Sequence, residues 1–587
     1  MRKTKIVCTL GPATSDVDTI KKLIKSGMNA ARINFSHGTY ESHGKIIDNL
    51  IKAREELNIP IPLLLDTKGP EIRIKDFVKE PVFLQQGQTF TLTTEDVEGD
   101  ETRVSVTYKN LPFDLRRGSR VLIDDGLIEL RVKNLTDTEV ECEVINGGPL
   151  SSKKGVNIPD VYVNLPSLTE KDIEDIKFGI KKGFDYIAAS FIRSASDVIK
   201  IRRILEENGG NDIDIIAKIE NRDGVDNIDE ILEVADAIMV ARGDLGVEIP
   251  IEEVPLVQKM LIKKANQMGK PVITATQMLD SMVRNPRPTR AEANDVANAI
   301  FDGTDAIMLS GETAKGAYPI ESVLMMATIA ERTESSIDYI KNMTKFHTSI
   351  QSNITDAISH ATCTTAADLN AACIVTVTRS GGTARMVSKF RPCAPVLACT
   401  VDEKAWRQLN LVWGCIPVKT EFKHTTDELF NQAVEKSVET GLAKNGDIIV
   451  ITAGVPVGVS GTTNILKAHI VGNVLVKGKG IGKKTVSGTA RVIKLIEEAD
   501  KYFKKGDILV TSNTDNDFLP YIKKASAIIV EEGEHGENSH AAIVGRALDI
   551  PVIIGAKNAV DLIRDGTLIT VDSKNGLVYN GAPEDVQ

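Results

Sequence analysis

Lys218 and Glu220 stand two apart in the apolar run DIIAKIEN (Asp214 to Asn221), so on a strand their side chains share one face. Asp244 ends the next such run, AIMVARGD (Ala237 to Asp244). Two carboxylates converging from adjacent runs, with no His or Cys nearby in sequence, form an oxygen donor set suited to a hard cation, Mg²⁺ or Mn²⁺. A lysine beside that cation presents a compact point charge able to stabilise negative charge on a substrate oxygen. The same pair also reads as a buried Lys–Glu ion pair of purely structural use. Spacing alone leaves both readings open.

Groups so far apart in sequence need a frame that gathers them. Runs rich in Val, Ile, Leu and Ala recur at KIVCTLG (Lys5 to Gly11), ARINFSHG (Ala31 to Gly38), PLLLDTKG (Pro62 to Gly69) and DYIAASFIR (Asp185 to Arg193). They continue through the two runs above to PVITATQM (Pro271 to Met278) and AIMLSGET (Ala306 to Thr313). Such runs fit parallel strands covered on both faces. Helical patterns lie between them, as at Val17 to Ser26, Glu170 to Lys182 and Pro255 to Met268. Strand-then-helix units repeated eight times predict a (β/α)8 barrel. Arg32, Asn34, Ser36, Asp66, Thr67, Ser190, Lys218, Glu220, Asp244 and Thr276 all fall late in a run or just beyond it. That is the carboxyl end of each strand, where barrel active sites are built. Any one of them reads as a satisfied polar plug; the set together reads as a site.

At 587 residues the chain is too long for one core. The barrel is expected over 1–69 and 167–340. Residues 70–166, rich in Thr, Val and Gly with alternating runs such as QTFTLTTEDV and TEVECEVI, predict an inserted small β-barrel lid domain. Residues 341–472 read as an α/β regulatory domain, with a helix over 355–370 and a strand from Cys373 to Thr378. Residues 473–587 read as an appended domain opening on VKGKGIGKK. The formal charge of −10 is spread without long like-charge runs, which argues against general nucleic-acid binding. No run of about 18 apolar residues predicts a membrane span, and no signal peptide is visible. Seven cysteines without metal-type spacing fit a reduced, cytoplasmic protein.

DIIAKIENRDGV (Asp214 to Val225) resembles the active-site signature of the pyruvate kinase family. ARINFSHG, LLDTKGPEIR (Leu64 to Arg73), MVARGDLGVEIP (Met239 to Pro250) and ATQMLDSM (Ala275 to Met282) resemble further motifs of that family, in its order, and the likeness runs to about residue 472. The resemblance implies transfer of the phosphoryl group of phosphoenolpyruvate to ADP. It implies that Glu220 and Asp244 bind the divalent metal, and that Thr276 with the Gly243–Asp244 backbone holds the substrate. Lys218 would neutralise charge as phosphoryl leaves, and Arg32 would grip the phosphate. Thr276 would lie near the carbon that is protonated, with a water chain as the proton route. Asn34, Ser36, Asp66 and Thr67 match the family's K⁺ site, and Glu71 is the residue type that accompanies K⁺ dependence. Asn34, His37, Arg73 and Lys154 match nucleotide contacts; taken alone, Lys154 reads as a solvated loop lysine. A homotetramer is implied by the resemblance only.

RSGGTA after the strand at Cys373 to Thr378 offers small residues at a helix start, where backbone N–H groups can meet a phosphate. It coincides with the family's effector loop (Thr378, Ser380, Gly382, Thr383). The facing loop AGVPVGVSGTT (Ala453 to Thr463) lacks Trp and Arg, which favours a sugar monophosphate or AMP over fructose 1,6-bisphosphate. In the tail, GENSHAAIVGRALDIPVIIG (Gly536 to Gly555) resembles the swivelling phosphohistidine domain of phosphoenolpyruvate-utilising enzymes. His540 keeps the phosphorylated position, Asn538 replaces the usual Thr, and no domain that could load His540 is visible. A packing or stabilising role is the favoured reading. Three rivals remain: a lyase of the same barrel class, a dikinase-like phosphotransferase, and a scaffold that binds phosphoenolpyruvate without turnover.

Overall fold

The computed structural model describes every residue except 160, 162, 164, 340, 342–352, 456–462, 473, 534–535 and 582–587. The chain divides into two compact units. The first comprises Met1–His360, Thr376–Phe422 and Gly454–Thr463; the second comprises Ala361–Val375, Lys423–Ala453 and Asn464–Gln587.

The first unit is organised by a closed barrel of eight strands: β1 (Lys5–Thr9), β2 (Ala30–Asn34), β3 (Leu63–Asp66), β4 (Tyr186–Ala189), β5 (Asp214–Ile219), β6 (Ala237–Ala241), β7 (Val272–Ala275) and β8 (Ala306–Leu309). Each strand pairs in parallel with its sequence neighbours, and β8 closes on β1. Alternation divides each strand between two cores. On β5, Ile215, Ala217 and Ile219 join the layer under the surrounding helices, whereas Ile216 packs with Val7, Leu64, Met239 and Ile273 inside the barrel. Lys218, two residues past Ile216, therefore points inward as well.

The helices between strands start and stop on local signals. Thr39, Thr169 and Thr289 cap their helices with reciprocal capping boxes. Gly183, Gly269 and Gly303 end theirs with φ of 72°, 68° and 95°, a left-handed conformation that Gly adopts without steric cost. The helices over Val17–Ser26 and Glu170–Lys182 have the predicted bounds, and a third runs over Val254–Met268.

Between β3 and β4 the chain forms a seven-stranded sheet, from Ile72–Arg73 through Glu139–Asn146 to Gly155–Asn157, and a separate two-stranded ribbon. Leu84, Phe90, Val121, Leu130 and Val144 fill its own core. In the α/β segment, helices Ile354–Asp368, Gly382–Ser388, Glu403–Gln408 and Thr426–Glu439 alternate with strands Cys373–Val377, Val396–Thr400, Cys415–Lys419 and Ile448–Gly454.

In the second unit an eight-stranded sheet is built wholly from residues 474–580. Opposite faces of its strands feed two cores, with Leu509, Ile528 and Val552 on one side and Ile508, Ile529 and Ile553 on the other. Among the described residues no helix is long and apolar enough to cross a membrane.

Leu65 on β3 is wholly buried, and a Cβ on Gly179 of the helix Glu170–Lys182 would lie 2.7 Å from its Cδ1. Leu65→Ala is expected to cost the barrel about 2–5 kcal/mol, read as a lower urea midpoint followed by circular dichroism.

Candidate active site

The carboxyl end of the barrel gathers charges that the sequence keeps far apart. Lys218 Nζ lies 2.9 Å from Asp66 Oδ1 and 3.0 Å from Glu220 Oε1, and donates to Ser190 Oγ at 2.7 Å. Asp66 is only 1 % exposed, and its other oxygen accepts from Arg32 Nε at 2.6 Å. Arg32 Nη1 donates to Thr9 Oγ1 at 2.9 Å. Asp66, on β3, is thus a hub between a cation on the adjacent strand β2 and one on β5, two strands away on the other side. Burial alone would raise its pKa, but Arg32 and Lys218 outweigh that and hold the carboxyl below the usual range. Burial likewise disfavours charge on Lys218, yet Asp66 and Glu220 keep its ammonium more firmly protonated than a free lysine.

Glu220 just follows β5, where Phe191 N donates to Oε2 at 2.6 Å. Phe191 has φ of 55°, a conformation uncommon for a bulky residue. Burial pushes Glu220 up to about 7; Lys218 opposes the shift, and the charge of Asp244 adds to it. Burial raises Asp244 too. The acidic pair therefore carries negative charge that the local cations leave incompletely balanced, which is the environment a divalent cation relieves. Among the described residues no cluster of three or more His, Cys, Asp or Glu side chains is placed to hold a metal. A two-carboxylate set suits an Mg²⁺ ion that retains waters and takes substrate oxygens.

One expectation is corrected. Asp244 does not end a strand: pairing stops at Ala241↔Ala275, and Asp244 is the third residue of the helix Arg242–Glu248. There it lies in the first turn of a helix, where a carboxylate is favoured. The run at ARINFSHG likewise leaves the sheet at Asn34, paired with Asp66, so Ser36 and His37 lie in the following turn.

Thr276 follows β7. Its hydroxyl accepts from Gly243 N at 2.7 Å and donates to Ala275 O at 2.6 Å, joining the loops after β6 and β7. Asn34 Oδ1 accepts from Ser36 N at 3.1 Å, and Thr67 Oγ1 accepts from Ser190 N at 3.1 Å. Asn34, Ser36, Asp66 and Thr67 thus come from β2, β3 and the turns directly after them.

A cavity of about 830 Å³ is lined by His37, Glu71, Arg73, Lys154 and Asp244, among others. Arg73 is held by Glu71 through Nε and Nη2, at 2.7 and 2.6 Å, and Lys154 Nζ pairs with Asp124 at 2.8 Å. Lys154 is therefore not simply a solvated loop lysine. Asn157 Nδ2 donates to Glu248 Oε1 at 2.7 Å, tying the inserted sheet to the helix that bears Asp244.

In the α/β segment Gly381 N donates to Thr378 Oγ1 at 3.0 Å, and Thr383 Oγ1 lies 2.8 Å from Thr463 Oγ1. Ser380 and Gly382 lie between these anchors, and most of the facing loop at 453–463 lies outside the described residues. In the tail, His540 is the first residue of the helix His540–Leu548, capped by Ser539, with Nδ1 3.1 Å from Thr514 Oγ1.

Thr9, the Phe191 amide and Arg242 escaped the sequence reading, and Ser190 was placed at the strand ends without a role. Ser190 and Thr9 both carry a signal, a hydroxyl late in a strand run. The others act through backbone groups or brace another side chain.

Residues 1–323 match the family description "Pyruvate kinase, barrel domain", and 356–469 match "Pyruvate kinase, alpha/beta domain". Curated pyruvate kinases of Geobacillus stearothermophilus and Bacillus licheniformis are 54% and 53% identical over 583 residues, 99% of this chain and of each relative. This chain belongs to the pyruvate kinase family. It is a phosphotransferase of glycolysis, acting between phosphoenolpyruvate and ADP. A solved pyruvate kinase from Cryptosporidium parvum has the same fold, with a TM-score of 0.77 and 40% identity, covering 80% of this chain and 96% of that one. Residues 503–576 match "PEP-utilising enzyme, mobile domain", so this pyruvate kinase carries that domain at its C-terminal end.

Asp66→Asn removes the countercharge shared by Arg32 and Lys218. A loss of about 3–5 kcal/mol in stability is expected from removing the shared partner of two buried cations, measured by urea unfolding of the apoenzyme, together with loss of turnover.

Proposed function

We propose that the pyruvate kinase reaction is carried out by Lys218, Arg32 and Thr276, with Glu220 and Asp244 binding Mg²⁺ or Mn²⁺. The observation that carries this reading is the ammonium of Lys218 held within 3.0 Å of both Asp66 and Glu220 at the carboxyl end of the barrel. When bound, the divalent ion supplies charge neutralisation to substrate oxygens. Lys218 offsets the negative charge left on the enol oxygen as phosphoryl departs, Arg32 grips the phosphate, and Thr276 with the Gly243 and Asp244 backbone fixes the organic part. Phosphoryl transfer calls for positioning and charge neutralisation above all, and these groups offer both.

K⁺ is the proposed second cation, held by Asn34, Ser36, Asp66 and Thr67, with Glu71 rather than a basic residue beside the site. Asn34, His37, Arg73 and Lys154 are proposed to receive the nucleotide; the last three line the cavity of about 830 Å³. We assign 1–69 with 167–340 to the barrel, 70–166 to the lid, 341–472 to an effector domain and 473–587 to the extension. Assembly as a homotetramer and a cytoplasmic location complete the reading.

Thr378, Ser380, Gly382 and Thr383 are proposed to bind the phosphate of an activating sugar monophosphate or AMP. A mechanical link supports activation from there. Arg385, on the helix that begins at Gly382, donates to Asp214 Oδ2 at 3.1 Å, and Asp214 is the first residue of the strand that carries Lys218. For His540 we favour a structural tail over phosphotransfer.

Coupled turnover with phosphoenolpyruvate and ADP tests the whole reading. Activity should vanish on chelation of divalent metal, fall sharply when K⁺ is omitted, and drop by about 10³-fold in Lys218→Met; a near-normal rate in that variant would end the assignment. Arg385→Leu should blunt activation by AMP or ribose 5-phosphate while leaving effector-saturated turnover within about threefold. Mass spectrometry after incubation with phosphoenolpyruvate should find no phosphate on His540, and its presence would overturn the structural reading of the tail.

A further inference from the structure

We infer that Arg242 is a positioning residue for the enolate half of the reaction, acting through Thr276; this rests on the role proposed for Thr276 above. Thr276 and Gln277 are consecutive residues with φ of 67° and 53°. For a β-branched residue that conformation is sparsely populated and persists only where surrounding structure enforces it. The enforcing group is the guanidinium of Arg242. Its Nε donates to Ala275 O at 3.2 Å and its Nη2 to Thr276 O at 2.7 Å. The remaining N–H groups reach Met278 Sδ at 2.8 Å, Asp295 Oδ1 at 2.7 Å and Gln258 Oε1 at 3.4 Å. Each of the five donors of the planar fork thus has an acceptor, which fixes the orientation of the guanidinium.

Arg242 also precedes Gly243, whose amide donates to the Thr276 hydroxyl at 2.7 Å. One residue therefore clamps the backbone of the β7 loop with its side chain and presents the β6 loop's amide to the same threonine with its main chain. The hydroxyl of Thr276, and the peptide that leads to Asp244, are set by a group that is itself aimed away from the reacting atoms. A lysine cannot replace it, because one ammonium cannot span two successive carbonyls and Asp295 in a fixed fork.

The test is a double-mutant cycle on the Mg²⁺- and K⁺-loaded enzyme using Arg242→Gln, Thr276→Ala and the double variant. Forward turnover is read beside exchange of pyruvate methyl protons for deuterium in D₂O, with inorganic phosphate present. Arg242→Gln should lower kcat and exchange by about a hundredfold, as a misplacement near 1 Å does, with the KM for ADP unchanged. In the Thr276→Ala background the same substitution should change either rate by less than about threefold. Arg242→Lys should recover less than about a tenth of the lost rate. Effects that multiply in the double variant, or full recovery by lysine, would overturn the inference while leaving Thr276 in its role. Wild-type rates in Thr276→Ala alone would remove the role of Thr276 and this inference together. If Arg242→Gln does not fold, the half-exposed partner substitution Asp295→Asn decides by the same cycle. It should give a loss of about three- to tenfold that disappears without the Thr276 hydroxyl.

Discussion

Two cations and two carboxylates buried at one end of a barrel cannot be tolerated unless each is paired, and that requirement governs the molecule. Arg32, Asp66, Lys218 and Glu220 come from β2, β3, β5 and the residue after β5, and each is at most 9 % exposed. Removing a single ion from water costs several kcal/mol even after relaxation, so the chain of contacts from Thr9 through Arg32, Asp66 and Lys218 to Glu220 has to be continuous. The closed parallel barrel meets that requirement because it directs neighbouring side chains from successive strands into one small volume.

The arrangement leaves one imbalance. Asp66 is satisfied from both sides, whereas Glu220 and Asp244 share a single nearby ammonium with Asp66; Asp244 raises the affinity of Glu220 for positive charge, and burial raises that of Asp244. A proton or a metal ion relieves the same stress, and near neutrality a divalent ion does so with more charge and with room for substrate oxygens. The divalent ion proposed for this site thus answers the count of buried charges rather than any single ligand.

Much of this was legible in the sequence because it depends on period. Alternation puts Lys218 and Glu220 on one face, and the late position of polar residues in apolar runs marks the carboxyl end of the barrel. What could not be read depends on backbone groups. Nothing in the residue type of Phe191 announces that its amide will cap Glu220, and Arg242 spends two donors on carbonyls that every residue possesses. The strand expected to reach Asp244 stops at Ala241 because its ladder partner β7 stops at Ala275, a fact of pairing that composition does not encode. Asp66 was read as a cation ligand; its tie to Arg32 and Lys218 adds the role of hub, which only the register of β2, β3 and β5 reveals.

The basic residues divide by burial into those that stay and those that can change partners. Lys218 is enclosed, and losing Asp66 or Glu220 would leave an uncompensated charge in a dry site. Arg73 sits on the inserted sheet and Lys154 directly before its strand Gly155–Asn157, with side chains 35% and 38% exposed, paired with Glu71 and Asp124. Pairs so open to solvent contribute roughly 0–1 kcal/mol, so exchanging a carboxylate for a nucleotide phosphate at either position costs little. Fixed charge at the reacting centre needs rigidity, since electrostatic stabilisation fails if the charges must reorganise with the reaction. The role proposed for Arg73 and Lys154, meeting an arriving and departing nucleotide, calls for the opposite property. The fold meets both demands by putting the first set on barrel strands closed upon themselves, and the second on a sheet with its own core, inserted between two of those strands.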